Sequence, residues 1–450
     1  MSRKGKSKLF QVPRGMRDIL PAEQKYWERC VKIAKELALY YGFELIETPI
    51  LENAELFAKG VGAGTDIVEK EMYTLRTKGG DLLALRPEGT PPIIRSYLEN
   101  GMVSQPHPVK LFYIGPMFRH DAPQAGRYRE HHQIGFETIG DPDPVIDAQI
   151  IQLIYAILTE LGLKGLTIQI NSIGDKQCRP KFRDELKNFY RNRVNRLCKN
   201  CKRKFKENPL RLFDCKEADC VALRSLAPHL IDHLDENCHN HFKSVLEFLD
   251  ELGLPYSLNP YLVRGQDYYT RTVFEVVPEE VVGAQSALGG GGRFDGLIEL
   301  LGGKPTPAVG GALGLERVIA EIQRRELKIA ATKPRVRIFL AQLGDLAKRK
   351  SLKLFEDFRK AGVQVAESFG RDSIKAQLRV ADRLGADISL IMGQKEALDN
   401  TVILREMQSG TQETIPLAKI IDEVKKRLKK IGPARRSISN LTDEEIDDKK

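Results

Sequence analysis

The 450-residue sequence contains no apolar run of the roughly 18 residues that a membrane-spanning helix needs, so no contact with the membrane interior is expected. It has only seven cysteines, which excludes a disulfide scaffold and favours free or metal-bound thiols in a reducing compartment, here the cytoplasm. The first 17 residues are basic, with no apolar core after them. That pattern argues against a secretory signal and leaves a short organellar presequence open.

Several common nucleotide-binding and hydrolase motifs are also missing. The sequence contains no G-x-G-x-x-G, no G-x-S-x-G and no H-E-x-x-H. Gly303-Lys304 is followed by Pro305, which excludes a phosphate-binding loop of the G-x-x-x-x-G-K-[ST] kind. A nucleotide, if one is bound, must be held by a different kind of binding site.

The remaining composition is that of a soluble globular chain, with 42% hydrophobic and 29% charged residues. The length predicts about three domains, or two domains and an insertion. The net charge is +10, and residues 179–211 alone hold 13 Lys/Arg against three acids, which is the same excess. This local concentration favours contact with a polyanion, and a solvated basic helix face is the alternative.

Apolar periodicity predicts helices over Ala22–Tyr41 and Pro144–Leu161 and, in the basic region, over Phe182–Leu197 and Asn240–Leu252. Short strand-like runs with uneven spacing predict a largely antiparallel sheet: Phe43–Ile50, 72–76, 81–86, 109–115, Ile134–Ile139, Leu166–Ile173, Tyr261–Arg264 and Thr272–Val277. From residue 335 strands and helices alternate regularly, which predicts a small α/β domain with some parallel pairing. The predicted fold class is therefore α+β.

Three blocks resemble the signature of class II aminoacyl-tRNA synthetases: Leu85-Arg-Pro-Glu-Gly-Thr-Pro91, the stretch from Phe112 to Gly140, and Gly310-Gly-Ala-Leu-Gly-Leu-Glu-Arg317. The second resembles motif 2 of that family and the third resembles motif 3. The segment Glu44–Asn53, with Pro49, resembles motif 1, the family's dimer-interface element.

More specific text resembles the histidyl-tRNA synthetase family: Pro13-Arg-Gly-Met-Arg-Asp18, Arg86-Pro-Glu-Gly-Thr90, the block from Leu262 to Glu275, and Gly291-Gly-Arg-Phe-Asp-Gly296. The resemblance covers roughly residues 10–430 in the right order. It implies an antiparallel sheet flanked by helices, a helical insertion and a C-terminal α/β anticodon-binding domain. The predicted divisions are a disordered basic tail (1–9), catalytic core (10–176 and 256–327), a basic Cys-containing insertion (177–255), a linker (328–334), the anticodon-binding domain (335–430) and a disordered tail (431–450).

The resemblance implies ATP-dependent attachment of L-histidine to tRNA(His) through a histidyl-adenylate. Arg119 and Arg264 would hold the ATP α-phosphate and the histidine carboxylate, and Arg317 would hold the γ-phosphate. Planar guanidinium groups suit such oxygens better than lysine does. Arg119 and Arg264 are therefore the predicted catalytic residues, with ATP as substrate and Mg²⁺ as its counterion.

The resemblance also implies a histidine pocket. Glu88 and Thr90 would take the α-ammonium group, and Gln133 the amino-acid backbone. Glu137 and Tyr269, with Tyr268 beside it, would bind the imidazole. The full predicted set for histidine is Glu88, Gly89, Thr90, Arg119, Gln133, Glu137, Arg264, Tyr268 and Tyr269. An apolar competitor would leave a carboxylate and a phenol unpaired, a penalty that can reach about 10⁴–10⁵-fold in discrimination.

Four cysteines in the insertion, Cys198-x₂-Cys201-x₁₃-Cys215-x₄-Cys220, resemble a four-thiolate zinc site, and Cys238, His239 and His241 are spare ligand types nearby. Buried thiols in a helical module are the alternative. A structural zinc ion is compatible with this spacing, but no metal is included in the predicted site.

The expected partners are tRNA(His), histidine, ATP and a second copy of the chain. Two other functions are alternatives to the enzymatic one: that of a non-catalytic regulatory paralogue of histidine biosynthesis, and that of a zinc-dependent RNA-binding protein. The first should lack residues 335–430 and lose motif residues, whereas both are intact here. The second leaves the synthetase blocks unexplained.

Overall fold

A computed structural model describes residues 10–121, 126–280, 287–329, 336–370 and 373–431. The chain divides into two compact units, Met1–Ala330 and Ala331–Lys450. The two predicted tails, apart from Ile431, and most of the predicted linker lie outside the described residues. No helix in the described ranges is long and apolar enough to cross a membrane.

The first unit is built on an eight-stranded sheet in the order β1-β5-β6-β11-β10-β9-β7-β8 and a small sheet in the order β2-β4-β3. Its strands are β1 Glu44–Leu45, β2 Leu51–Asn53, β3 Thr74–Arg76, β4 Leu82–Leu85, β5 Val109–Phe118, β6 Glu130–Ile139, β7 Leu166–Ser172, β8 Tyr256–Leu258, β9 Thr270–Pro278, β10 Gly289–Arg293 and β11 Ala308–Gly314. Only the outer pairs β1/β5 and β7/β8 are parallel, which confirms the predicted antiparallel sheet.

Helices surround this sheet. They are α1 Gln24–Tyr40, α2 Ala54–Phe57, α3 Thr90–Glu99, α4 Pro144–Glu160, α5 Cys178–Arg191, α6 Lys199–Glu207, α7 Ala218–Arg224, α8 Glu236–Glu251, α9 Leu297–Leu300 and α10 Leu315–Arg324. Helix α4 is apolar almost all round, so it packs in the core with α1, α8 and α10. The insertion helix α8 adds Phe242, Val245 and Leu249 to the same core, so the insertion shares a core with the main sheet.

Glycines allow the central strands to pack closely. A Cβ on Gly291 would lie 2.0 Å from the carbonyl oxygen of Gly310, and one on Gly311 would lie 2.6 Å from Cδ1 of Ile154 in α4. Any side chain at these positions would therefore push β10, β11 and α4 apart. Strand β10, with the sequence GGGGR, is buried, and its glycines let neighbouring side chains approach its backbone.

The second unit contains a five-stranded sheet in the order β13-β12-β14-β15-β16. Its elements are β12 Ile338–Gln342, α11 Asp345–Lys360, β13 Val365–Glu367, α12 Ile374–Arg383, β14 Ile388–Met392, α13 Gln394–Asp399, β15 Thr401–Glu406, β16 Gln412–Pro416 and α14 Ile420–Ile431. Strand β12 pairs in parallel with β13 and β14, and the other pairs are antiparallel. The predicted α/β domain with some parallel pairing is confirmed.

Two predicted strands are wrong. Phe43–Ile50 forms only the two-residue β1, and the chain then leaves the main sheet for the small one. Tyr261–Arg264 is an irregular segment between β8 and β9, held by hydrogen bonds from Leu262 N to Asn259 O and from Asn171 Nδ2 to Leu262 O. Its short apolar run is partly buried beside a cleft, which does not require a strand.

Candidate active site

A cleft of about 840 Å³ in the first unit is lined by four of the predicted residues: Arg119, Gln133, Arg264 and Arg317. The other predicted side chains, Glu88, Thr90, Glu137, Tyr268 and Tyr269, are buried directly behind this lining. The structure therefore brings the predicted set together, although its members come from five separate parts of the sequence.

The hairpin β5–β6 positions two sides of the site. Arg119 follows the last residue of β5, and its backbone N–H donates to Arg129 O at 2.8 Å, which extends the hairpin. Its Nε donates to Pro87 O at 2.9 Å. Gln133 and Glu137 lie four residues apart on β6 and therefore share a face of the sheet.

Arg317 lies in the first turn of α10, immediately after β11. Its Nε donates to Gly126 O at 3.1 Å and its Nη1 to Ala287 O at 3.2 Å, so it bridges the two segments that border the cleft. The neighbouring Glu316 accepts hydrogen bonds from the backbone N–H of His132 at 2.9 and 3.0 Å. These bonds tie the start of α10 to β6.

Arg264 reaches the cleft from the irregular segment before β9. It forms an ion pair with Glu275 of β9 and lies 5.7 Å over the ring of Tyr269. A Cβ on Gly290 would lie 2.9 Å from its Nη1, so the glycine strand leaves room for the guanidinium group. The Nε of Arg264 is buried without a hydrogen-bond partner among the described residues.

Several arginine side chains converge on one part of the cleft. The pKa of Arg317 is lowered by burial and by the nearby positive charges of Arg127, Arg119 and Arg264. Burial, together with Arg119 and Arg317, lowers the pKa of His131 to about 3, so this imidazole is neutral. Converging cations of this kind provide a site for a highly charged anion.

Two buried carboxylates, Glu88 and Glu137, lie behind the cleft lining, in a layer that we call the floor. The exposed fraction is 4% for Glu88 and 2% for Glu137. Thr90 Oγ1 donates to Glu137 Oε1 at 2.7 Å, and Arg119 Nη2 lies 3.9 Å from Glu88 Oε2. The second oxygen of each carboxylate, Glu88 Oε1 and Glu137 Oε2, has no hydrogen-bond partner in the described part of the chain.

The pKa values reflect this incomplete pairing. Burial raises the pKa of Glu88, although Arg119 and hydrogen bonds from Gln266 and Tyr268 act against it. Burial raises the pKa of Glu137 well above its ordinary value, with only Thr90 opposing the shift. A buried acceptor without a donor is costly, so each oxygen is suited to a ligand that brings an N–H group.

Tyr113 is a floor residue that sequence reasoning missed. A Cβ on Gly89 or on Gly135 would lie 2.1 or 2.2 Å from its Cζ, so the ring is packed between these two glycines. Its pKa is raised well above the ordinary value by burial and by the charges of Glu137 and Glu88. The predicted Gly89 thus has a packing role, which its sequence context could not reveal.

Gln266 is the second missed residue. The sequence analysis assigned it no chemical role. Its Nε2 donates to Glu88 Oε2 at 2.7 Å, so it helps to orient the floor carboxylate. Gln266 and Glu88 are 178 positions apart in the sequence, so this role becomes visible only in the folded structure.

Comparison with known proteins agrees with this arrangement. The family model "Histidyl-tRNA synthetase" matches residues 15–318, and the model "Anticodon binding domain" matches residues 337–427. A histidine–tRNA ligase of Dehalococcoides mccartyi is 46% identical over 93% of this chain and 100% of its own length. One from Pelotomaculum thermopropionicum is 44% identical over 93% and 98%.

The solved structures include a similar protein. The apo histidyl-tRNA synthetase of S. aureus is 34% identical, covers 92% of this chain and 99% of its own, and superposes with a TM-score of 0.76. The match extends over both units. Together with the two family models and the curated relatives, it establishes that this chain belongs to the histidyl-tRNA synthetase family.

Proposed function

We propose that the protein activates L-histidine with ATP and transfers the histidyl group to tRNA(His), releasing AMP and diphosphate. The observation that carries the proposal is the convergence of Arg119, Arg264 and Arg317 on one cleft, beside two buried carboxylates that each keep an oxygen without a partner among the described residues. The cations suit a triphosphate, and the carboxylates suit an amino acid with a second nitrogen-bearing group.

The arginines reduce the electrostatic repulsion between the two anionic reactants of the first step. The histidine carboxylate must attack the α-phosphate, and both groups are anionic. Arg119 and Arg264 are suited to hold these two groups together, and Arg317 to hold the γ-phosphate of the leaving diphosphate. Fixed cations in a partly enclosed cleft stabilise the developing charge without first reorganising water.

ATP enters as its magnesium complex. Mg²⁺ keeps several waters and is held by one or two carboxylates together with the phosphates, so it needs no complete protein cage. The cleft lining includes Glu71 and Glu275, which fit this requirement. Bound Mg²⁺ would neutralise phosphate charge, and these carboxylates would fix the position of the complex.

The floor supports specificity for histidine. Glu88 would accept a hydrogen bond from the α-ammonium group, and Glu137 would accept one from an imidazole nitrogen. Tyr268 and Tyr269 have rings 4.6 Å apart and close the same pocket. An apolar side chain of similar size would leave the Glu137 oxygen buried and unpaired, which penalises the wrong amino acid.

Two regions are candidates for binding tRNA. The basic insertion helices α5 and α6 carry most of the net positive charge and would contact phosphates. The second unit would bind the anticodon loop, in agreement with the family model that matches it. The tRNA-binding unit distinguishes the enzyme from the regulatory paralogue, which should lack it.

Homodimer formation in the cytoplasm is also proposed. Apolar side chains remain exposed on and beside β1 and the small sheet: Leu45, Ile50, Leu51, Leu75 and Leu82. They include part of the segment that resembles motif 1. An exposed apolar patch of this kind is suited to a partner surface.

The first test is ATP–diphosphate exchange without tRNA, with each amino acid supplied separately. Exchange with histidine alone is expected. A folded protein that shows no exchange with any amino acid would instead favour the regulatory paralogue.

The second test removes residues 335–450. Because they form a separate unit, amino-acid activation should be retained, whereas charging of tRNA(His) should collapse. Unchanged charging by the truncated chain would rule out the anticodon role.

A further inference from the structure

Four cysteine side chains meet inside the insertion, in a group that we call the thiol cluster: Cys198, Cys201, Cys215 and Cys220. The first two lie at the start of α6, the third precedes α7, and the fourth is in α7. The catalytic proposal gives these residues no role. Cys201 and Cys220 are buried, and the other two are half-buried.

The spacing of the sulfur atoms fits one bound ion. All four Sγ atoms lie within 4.8 Å of one another, and those of Cys198 and Cys215 are 3.9 Å apart. In a tetrahedral zinc site with Zn–S bonds of about 2.3 Å, the sulfurs are about 3.8 Å apart. The cluster therefore needs only a small contraction around an ion, and all seven cysteines are free of disulfide bonds.

Backbone amides are directed at the sulfur atoms. Cys201 N–H donates to Cys198 Sγ at 3.4 Å, and Cys198 N–H donates to Cys220 Sγ at 3.3 Å. Thiols packed only for their apolar surface have no need of such donors, whereas thiolates are stabilised by them and by the positive end of a helix. The basic residues of α6, such as Lys199 and Lys202, offset the negative charge of four thiolates.

We propose that the thiol cluster binds one zinc ion as a structural four-thiolate site. Four protein ligands complete the tetrahedron, so no position is open for a substrate or water. Zinc displaces the thiol protons on binding and joins α6 to the segment that contains Cys215 and α7.

The site supports one wall of the cleft. Phe213, Cys215 and Arg224 line it, and the guanidinium of Arg224 lies 4.8 Å over the ring of Tyr261, which begins the segment that carries Arg264. Arg211 Nη2 also donates to Asp267 Oδ1 at 2.9 Å, at the other end of that segment. Loss of the ion should therefore loosen the wall without removing a group that contacts the substrates.

The chain offers a matched control. Asp175, Cys178, Asp235 and Cys238 also lie close together, with the two sulfurs 3.9 Å apart. Asp235 Oδ1 already accepts from the Cys238 N–H at 2.8 Å, and Asp175 Oδ1 accepts from the Gln177 N–H at 2.9 Å. Two of the four ligands in this group are carboxylates, whereas structural zinc sites are built from cysteine and histidine, so this group is the poorer zinc site.

The spare ligands considered from the sequence do not belong to the thiol cluster. Cys238 lies in the control group, and His241 Nε2 lies 3.3 Å from Asp147 Oδ1 in the core of the first unit. His239 lies outside both candidate groups.

The test is the metal content of the full-length protein, purified under reducing conditions and measured by inductively coupled plasma mass spectrometry. One zinc per chain is expected for the wild type and for Cys238→Ser, and at least a tenfold lower content for Cys215→Ser. Replacing zinc with Co²⁺ in the wild type should produce thiolate-to-metal charge transfer and tetrahedral d–d absorption. This readout does not depend on the folding of any variant.

Three results would overturn the proposal. The first is folded wild-type protein that stays metal-free after Zn²⁺ is added to the reduced chain. The second is a full equivalent of zinc in Cys215→Ser, and the third is loss of zinc in Cys238→Ser alone. A lower unfolding temperature on chelation, reversed by Zn²⁺, would support the structural role.

Discussion

Two sets of buried charges in the first unit differ in whether both oxygens of each carboxylate have a partner. In the first set, Asp147 accepts from Arg293 Nη2 at 2.6 Å and from Nε at 3.0 Å, and His241 Nε2 lies 3.3 Å away. Arg293 is 0% exposed and also donates to the carbonyl oxygens of Asp141 and Asp143. In the second set, Glu88 and Glu137 each keep an oxygen without a partner in the described chain.

The pKa directions follow the pairing. Burial alone would raise the pKa of Asp147, but the charge of Arg293 and the hydrogen bonds from His241 and Arg293 hold it below its ordinary value. The pKa values of Glu88 and Glu137 are raised. A buried carboxylate with both oxygens occupied therefore supports the fold, whereas one with an open oxygen is available for a ligand.

The largest expected effect is on the fold. Asp147→Asn removes the nearer of the two carboxylates that pair with the buried Arg293 and leaves Asp295, 3.2 Å from Arg293 Nη1, so the free energy of unfolding should fall by about 3–5 kcal/mol in chemical denaturation. The exposed Asp232, whose Oδ2 lies 3.9 Å from His229, is a control, and Asp232→Asn should change little. If the free energy of unfolding of Asp147→Asn fell by less than about 1 kcal/mol, full pairing would not distinguish a carboxylate that supports the fold from one that binds a ligand.

The next effect is on activation. Arg264→Ala should slow histidine-dependent ATP–diphosphate exchange by about 10³-fold, because a fixed cation at the reacting oxygens is lost. The fold and tRNA binding should be retained, whereas Arg293→Ala should lose the fold. Normal adenylate formation by Arg264→Ala would contradict the catalytic role assigned to Arg264.

A smaller effect is expected at the floor. Glu137→Gln replaces a charged acceptor by a neutral amide, so kcat/KM for histidine in the exchange assay should fall by about 10²-fold. Thr138→Val changes the next residue on β6, which points to the other face, and should leave kcat/KM nearly unchanged. Equal kcat/KM values for Glu137→Gln and the wild type would show that the imidazole binds elsewhere.

The smallest effect is on the pH dependence of stability. The folded pKa of Glu137 is raised, so the folded state loses stability as the pH rises from about 4.3, the unfolded value, through the folded pKa. Glu137→Gln removes this loss and should be more stable than the wild type above that range. Denaturation curves with the same pH dependence for both proteins would contradict the raised pKa.

Much of the architecture could be predicted because periodicity and family motifs are local signals. The predicted strand over Leu166–Ile173 and the predicted helix over Pro144–Leu161 each end one residue earlier in the structure. Helix α3 was not predicted; Pro91 and Pro92 lie in its first turn, where they lose no hydrogen bond.

The missed site residues share a physical cause. Gln266 is defined by a contact with Glu88, and Tyr113 by the space that Gly89 and Gly135 leave for its ring. Neither contact follows from spacing along the chain. The residues implied by the family resemblance lie close together in the first unit, whereas the contacts that support them appear only in three dimensions.

The most direct test is a crystal structure of the protein with L-histidine. The account predicts an imidazole nitrogen about 3 Å from Glu137 Oε2 and the α-ammonium nitrogen about 3 Å from Glu88 Oε1, so that both open oxygens are occupied. A histidine bound in the cleft with both oxygens still unpaired would contradict it.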